Sequence, residues 1–192
     1  RYFDVAMETA TASPRDTAIR IAITNRGAAS APLHVLPTLW LRNTWAWGRS
    51  GDQYPPRGEI TKIGPDELVA DVPGLGRYRL IAEGARTWLF TENETNRERL
   101  FGVANATPHV KDAFHDRVVH GREDAVSPEP RGTKAAAWIR LDVPAGACVT
   151  LRLRLVAEDE RDASGLGDDF DTVFAARRAE ADAFYAERIP AT

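Results

Sequence analysis

The chain alternates before it does anything else. From Tyr2 to Thr9, Phe3, Val5 and Met7 fall on one face and Asp4, Ala6 and Glu8 on the other, the period-two pattern of a β-strand. Residues 18–24 repeat it, with Ile19, Ile21 and Ile23 on one face, and Ser13-Pro14-Arg15-Asp16 between the two reads as a turn. Asn25-Arg26-Gly27 closes the second strand with residues that tolerate turn geometry. Residues 32–42 (PLHVLPTLWLR) are apolar on both faces, which predicts a central strand, and Pro37 marks a bulge or bend within it. After a Gly- and Pro-rich loop at 49–58, shorter strands are predicted at 59–63, 67–72, 77–82 and 86–92. The last pair, 135–143 and 149–157, flanks Pro144-Ala145-Gly146 and reads as a hairpin. Its second strand sets Val149, Leu151, Leu153 and Leu155 against a face carrying Arg152 and Arg154.

Two stretches break the pattern. Residues 91–134 form a connection of about forty residues between two predicted strands, far beyond a hairpin loop of roughly 2–5. Leu100, Phe101, Val103, Val110, Phe114, Val118 and Val119 recur through it, so the reading is an ordered excursion rather than a disordered loop. From Asp168 the period becomes helical: Phe170, Val173, Phe174, Arg177, Ala181, Phe184 and Tyr185 predict one helix over 168–188, with Asp168 or Asp169 as N-cap. Many short strands separated by turns indicate a mainly antiparallel β-sandwich. The expected organisation is a sandwich domain over 1–160 and a linker helix in 161–192, leading to a further domain. Exposed apolar side chains of the excursion (Phe101, Val110, Phe114) and of the helix are expected to form a surface that another domain covers, and the isolated chain is expected to self-associate through it.

Composition narrows the function classes. A net charge of −3 supplies no basic field, so neither nucleic acid nor an anionic membrane is an expected partner. The single Cys148 excludes an internal disulfide and fits a reducing, cytoplasmic compartment. Among residues that could carry chemistry, Asp112, His115, Asp116 and His120 are of metal-ligand type, but HxxxxH is not a ligand spacing and no cysteine supports it, so no metal and no cofactor are expected. No nucleophile elbow and no phosphate-binding glycine loop occurs. Trp45 and Trp47 could present rings to a sugar, or serve as packing units. Asn93 and Asn105 begin glycosylation sequons. The candidate rim or interdomain residues are Trp45, Trp47, Asn93, Asn96, Asp112, His115, Asp116, His120 and Lys134; no catalytic pair can be chosen among 28 acidic residues, Glu92, Glu94 and Asp112 included.

Four strings carry a resemblance: LHVLPTLWLRNTWAWG (33–48), WLFTENETNRERLFG (88–102), HVKDAFHDRVVHGREDAV (109–126) and GTKAAAWIRLDVPAG (132–146). In order and spacing the chain resembles the N-terminal region of bacterial glucosidase-like proteins related to glycoside hydrolase family 63 and the mannosylglycerate-hydrolase type. The resemblance implies a supersandwich-like β-domain that supports an (α/α)6 catalytic barrel and lines the rim of its substrate cleft. It implies strands upstream of Arg1, and it implies that the acid–base carboxylates lie on the barrel, so none is assigned here. The barrel of the same parent chain and a carbohydrate are the partners it implies. A carbohydrate-binding module using Trp45 and Trp47 is the alternative.

Overall fold

The structure is a computed structural model and describes residues 2–49, 51–160, 165–166 and 169–189. It is mainly β and antiparallel, with short helices inside the excursion and one long helix near the C-terminus. The chain forms two compact units, one from residues 1–31, 81–83 and 143–192, the other from 32–80 and 84–142. The expected boundary after residue 160 and the Asp168 cap lie at or within segments outside the described residues.

In the first unit β1 (Phe3–Ser13) pairs antiparallel with β2 (Asp16–Asn25), and β2 pairs antiparallel with β12 (Cys148–Ala157). Register fixes what each face can do. Val5, Ile23 and Val149 share one row and Met7, Ile21 and Leu151 the next, so one face is aliphatic throughout. Ile23 is fully buried, but Val5 and Met7, on the edge strand, are exposed (61% and 68%). The alternation named the right face and not its burial, because burial depends on how far the covering layer reaches. The opposite face carries Arg20, Arg152 and Arg154, and it is not a solvated face. It is roofed by α3 (Asp169–Ala186), whose Phe170 and Phe174 pack with Ala10 and Ala18.

Arg154 is the hinge of that roof. Its side chain is 3% exposed, its Nε and Nη2 donate to the two Asp16 carboxylate oxygens at 2.8 and 2.6 Å, and Nη1 donates to the Gly165 carbonyl at 2.9 Å and to Asp169 at 3.1 Å. These bonds hold the guanidinium charged, its pKa raised chiefly by the hydrogen bonds it donates to Asp16. Arg152 makes a second, more exposed fork onto Glu83 and lies over the Phe170 ring, 5.6 Å from its centre.

The second unit contains β3 (Ala31–Val35), β4 (Thr38–Trp40), β5 (Glu59–Lys62), β6 (Glu67–Val72), most of β7 (Gly76–Ala82), β8 (Trp88–Thr91), β9 (Arg131–Gly132), β10 (Lys134–Ala137) and β11 (Ile139–Val143). One sheet runs β7-β6-β5-β9 and another β4-β10-β8, while β11 pairs with β3. The excursion supplies α1 (Arg97–Phe101), α2 (Ala113–Val119) and a 3-10 turn at Glu123–Ala125. Two expectations change. Pro37 ends one strand rather than bending it, and β4 after it is an edge strand with Trp40 59% exposed, because its pairing stops at β10. Nor do 135–143 and 149–157 form a hairpin: Trp138 separates β10 from β11, β11 joins β3, and β12 joins β2. The turn at Pro144 is real, with Ala147 N–H donating to the Pro144 carbonyl at 3.1 Å, but Asn25 holds it, donating from its backbone N–H to Ala147 O at 3.0 Å and from Nδ2 to Val143 O at 2.8 Å.

The return of the excursion depends on a glycine. Gly132 ends β9 and leads directly to β10, so the chain passes from one sheet to the other within a residue or two. A Cβ at Gly132 would lie 2.6 Å from the Thr91 carbonyl oxygen, too close for any other residue without movement of β8. Phe114 packs with Leu89 and Ala136, and Val110 and Ala113 are buried as well, so this part of the excursion is core and not the exposed surface expected of it.

Asp16→Ala should leave the Arg154 charge buried with half its partners. The expected loss is about 3–5 kcal/mol in denaturant unfolding, with faster amide exchange at 170–174; an unchanged midpoint would refute the anchoring role. A second expectation concerns pH. The Arg152 hydrogen bond holds the Glu83 carboxyl below the usual carboxylate range. A depressed folded-state pKa gives stability that is present above the unfolded value of about 4.3 and lost as pH falls through the folded one. Glu83→Gln should therefore lower the melting temperature at pH 7 more than at pH 3, measured by thermal unfolding across that range.

Candidate functional site

The second unit carries a concavity of about 850 Å³ lined by Trp40, Arg42, Asn43, Ala46, Trp47, Asn93, Glu94, Thr95, Arg97, Phe101, Ala106 and Lys111. Three sequence segments build it. β4 delivers Trp40, the 3-10 turn at Trp45–Trp47 delivers Trp47, and the chain leaving β8 delivers Asn93, Glu94 and then α1. The turn ends at Gly48, whose φ of 62° suits glycine and whose N–H donates to Trp45 O at 3.3 Å.

Asparagines lock the segments together. Asn93 Nδ2 donates to Leu41 O at 2.8 Å, Asn43 Nδ2 donates to Asn93 O at 2.8 Å, and Asn43 Oδ1 accepts from Ala46 N–H at 3.1 Å. Thr133 Oγ1 accepts from Asn93 N–H at 2.8 Å and donates to Glu92 at 2.7 Å, and Glu92 also accepts from Arg57 at 2.6 Å. Glu92 N–H donates to His109 O and Lys111 N–H to Glu94 O, so 109–111 lies along 92–94 as a third wall.

The two tryptophans divide their labour. Trp45 is half-buried and its indole N–H donates to Glu94 Oε1 at 3.1 Å, which fixes the carboxylate in the concavity. Trp47 is 55% exposed and its ring meets that of Tyr54 in a T-shaped contact, 6.0 Å between ring centres. They do not form one platform. The exposed rings on the concavity are instead Trp47, Trp40 and Phe101, the last 69% exposed. Sequence reasoning missed Trp40, which it placed inside a central strand, and read Phe101 as an interdomain residue. Pro37 was the available signal for Trp40, since a strand cut there is too short to be buried on both sides.

The other sequence candidates lie elsewhere on the unit. Asn96 caps α1, accepting from Arg99 N–H at 3.1 Å, and donates to Asp112 at 3.2 Å, while Asn105 Oδ1 accepts from Arg97 N–H at 2.7 Å. Arg99 pairs with Asp112 at 3.1 Å, and Arg122 reaches Asp116 at 3.5 Å. These side chains line a second concavity of about 420 Å³ and spend their polar atoms on one another. His115 and His120 are exposed and meet edge to face, 5.2 Å between centres. Lys134 donates to Lys111 O at 2.6 Å and lies over the Phe114 ring, and burial pushes its ammonium pKa down. Among the described residues no three His, Cys, Asp or Glu side chains converge as a metal set. No described helix is long and apolar enough to cross a membrane.

Chemically, the larger concavity offers flat apolar rings, one oriented carboxylate and three cations, Arg42, Arg97 and Lys111. That mixture suits a polar ligand with apolar faces, which stacks on rings and hydrogen-bonds at its rim. Asn93→Ala should destabilise the second unit by about 1–3 kcal/mol, since it leaves the buried Leu41 carbonyl without its donor. Hydrogen exchange at 43–48 should rise with it, and unchanged exchange there would mean that the wall does not depend on Asn93.

No family model matches the sequence. The chain is similar to the uncharacterized protein YMR196W of Saccharomyces cerevisiae (strain ATCC 204508 / S288c), 32% identical over 218 residues, which covers 96% of this chain and 20% of that protein. The chain thus spans about a fifth of the length of the curated relative it matches.

Proposed function

We propose that this chain is the N-terminal β-sandwich region of a glucosidase-like glycoside hydrolase, and that its Trp40–Trp47–Phe101 concavity forms one rim of the parent enzyme's substrate cleft. The observation that carries the reading is the set of three exposed aromatic rings lining one concavity that also holds an oriented Glu94. An exposed ring costs hydration free energy, and three around a single concavity are better accounted for by a ligand than by chance. The resemblance of the four strings at 33–48, 88–102, 109–126 and 132–146 supplies the enzyme class, and similarity across 96% of the chain to a protein about five times longer is what a region of a larger enzyme would give. In this reading the chain alone turns nothing over. The acid and base lie on the barrel domain, and this unit supplies shape and stacking.

A second reading has one observation in its favour. Trp40 and Trp47 are each more than half exposed without any partner domain, as in a module that binds sugar by itself. The experiment uses the full-length parent and the chain alone. Trp47→Ala and Trp40→Ala in the parent should each lower kcat/KM on α-glucosides or glucosylglycerate by at least about tenfold with the melting temperature held. The chain alone should show no turnover and no heat of binding to gluco-oligosaccharides. Titratable binding by the chain alone would favour the module, and parent variants with full activity would overturn the rim role.

A further inference from the structure

In the second unit, residues 96–105 form a knuckle whose hydrogen bonds close on themselves. Asn105 Oδ1 accepts from the N–H groups of Arg97 and Glu98 at 2.7 and 3.2 Å. Asn96 Oδ1 accepts from Arg99 N–H and from Asn105 Nδ2, each at 3.1 Å. Gly102, at a φ of 66°, ends α1 with its N–H on Glu98 O. The first-turn N–H groups of α1 are thus met from within the knuckle and not by a sheet. Nothing at its tip is core: residues 97–104 are all exposed, Leu100 and Phe101 to 60% and 69%. The ends, by contrast, are fixed. Glu92 N–H donates to His109 O at 2.8 Å, Lys111 N–H donates to Glu94 O at 3.0 Å, and Lys134 of β10 holds Lys111 O at 2.6 Å.

Between those ends one carboxylate ties the knuckle down. Among the described residues, Asp112 accepts from Asn96 Nδ2 at 3.2 Å and from Arg99 Nη1 at 3.1 Å. The Arg99 side chain is 69% exposed, and an ion pair so open to water is weak. There is also space on either side. Arg97, Phe101 and Ala106 line the concavity of about 850 Å³, while Asn96, Glu98, Arg99 and Asn105 line the one of about 420 Å³. A segment with no buried side chain at its tip, exposed hydrogen bonds and open volume on two sides is drawn from the least stable part of a domain, where lids are found.

We propose that residues 95–108 are a lid on the larger concavity, latched open by Asp112, and that it rocks about its fixed ends to bring Phe101 onto a saccharide bound there. The inference rests on the reading of that concavity as a sugar-binding rim. A pyranose offers an apolar face and a border of hydroxyls. Phe101 has no ring partner and Arg97 no ion pair among the described residues, so the lid carries one free ring and one free donor toward such a ligand. Both travel with the knuckle, because its own hydrogen bonds need not break. What must give is the pair of bonds to Asp112 and the contact of Lys111 Nζ with Thr95 Oγ1 at 3.1 Å. The sign of the latch follows. A ligand that closes the lid must spend part of its affinity on releasing Asp112, so removing the latch strengthens binding. A side chain that merely supported the site would weaken binding when removed.

The test uses the full-length parent and a thio-linked maltotetraose, which resists hydrolysis. By calorimetry Asp112→Ala should bind it at least about threefold more tightly than the unsubstituted protein, although Asp112 does not line the larger concavity. Arg99→Ala should act in the same direction, and its exposed side chain keeps the test open where Asp112→Ala lowers the melting temperature. Phe101→Ala added to Asp112→Ala should remove the gain. Trypsin should cut after Arg97 faster in free Asp112→Ala than in the unsubstituted protein, and the sugar should slow the cut in both. Unchanged or weaker binding by the folded latch variants, a gain that survives Phe101→Ala, or a cut that the sugar does not slow would each overturn the lid. The rim reading stands in those cases if Trp47→Ala or Trp40→Ala still loses affinity. Full affinity in both tryptophan variants, or no binding by the parent, would overturn the rim and the lid together.

Discussion

The first unit depends on a buried ion pair. Taking a guanidinium and a carboxylate out of water is costly, and the cost is offset only where nearly every polar atom is satisfied. Arg154 meets that condition with Asp16, Asp169 and the Gly165 carbonyl. Asp16 begins β2, Arg154 lies near the end of β12, and Asp169 begins α3, so one side chain ties together three of the unit's elements. An apolar side chain at 154 could fill the space, but it would not choose which helix residue to dock. The pair sets position, and Phe170 and Phe174 add the apolar burial that makes the position stable.

The second unit solves a different problem: how to hold a forty-residue excursion without a core of its own. It does so with backbone bonds at both flanks and asparagine side chains between them. Residues 92–94 bond 109–111, Ser127 N–H donates to Phe90 O at 2.9 Å, and Thr133 N–H donates to Thr91 O at 3.2 Å. Phe114 plugs the middle, with Trp138 alongside, its ring flanked by Arg117 and Arg140 at 5.0 Å each. The aromatic concavity is a by-product of that clamping. Its walls are β4, the Trp45–Trp47 turn and the place where the excursion turns away from β8, and they leave Trp40, Trp47 and Phe101 exposed.

Much of this was legible in the sequence, and the misses share one cause. Strands at 67–72 and 149–157, the helix from Asp169 and the ordered nature of the excursion follow from local periodicity and match the structure within a residue or two. What failed was partnership. Residues 135–143 and 149–157 look like a hairpin because a turn lies between them, yet the strand is cut at Trp138 and its two ends belong to different sheets. Trp40 looked central because its neighbours are apolar, and its exposure depends on where β10 stops pairing. Trp45 and Trp47 share a motif in the chain and part company in space, one bonded to Glu94 and the other open. The alternation of Arg152 and Arg154 announced a charged face, but only the distant Asp16 and Asp169 make it a buried one. Period fixes which side chains share a face, and nothing local fixes what that face meets.

The place of β12 in the first unit has a consequence for synthesis. β1 and β2 leave the ribosome before the rest of the unit described here and can pair at once, since only a short turn joins them. The other edge of β2 must wait for β12, which begins roughly 120 residues later. At 5–20 residues per second that is on the order of 6–25 s during which Ile19, Ile21 and Ile23 lie on a two-stranded ribbon with an open inner edge. A ribbon of this kind is marginal by itself and a template for unwanted pairing. The second unit is encoded almost wholly within that interval, so it can fold while the first is still half made. Vectorial synthesis thus gives the nascent chain an order of assembly and an interval with an unpaired strand edge, and both are set by where one strand is inserted.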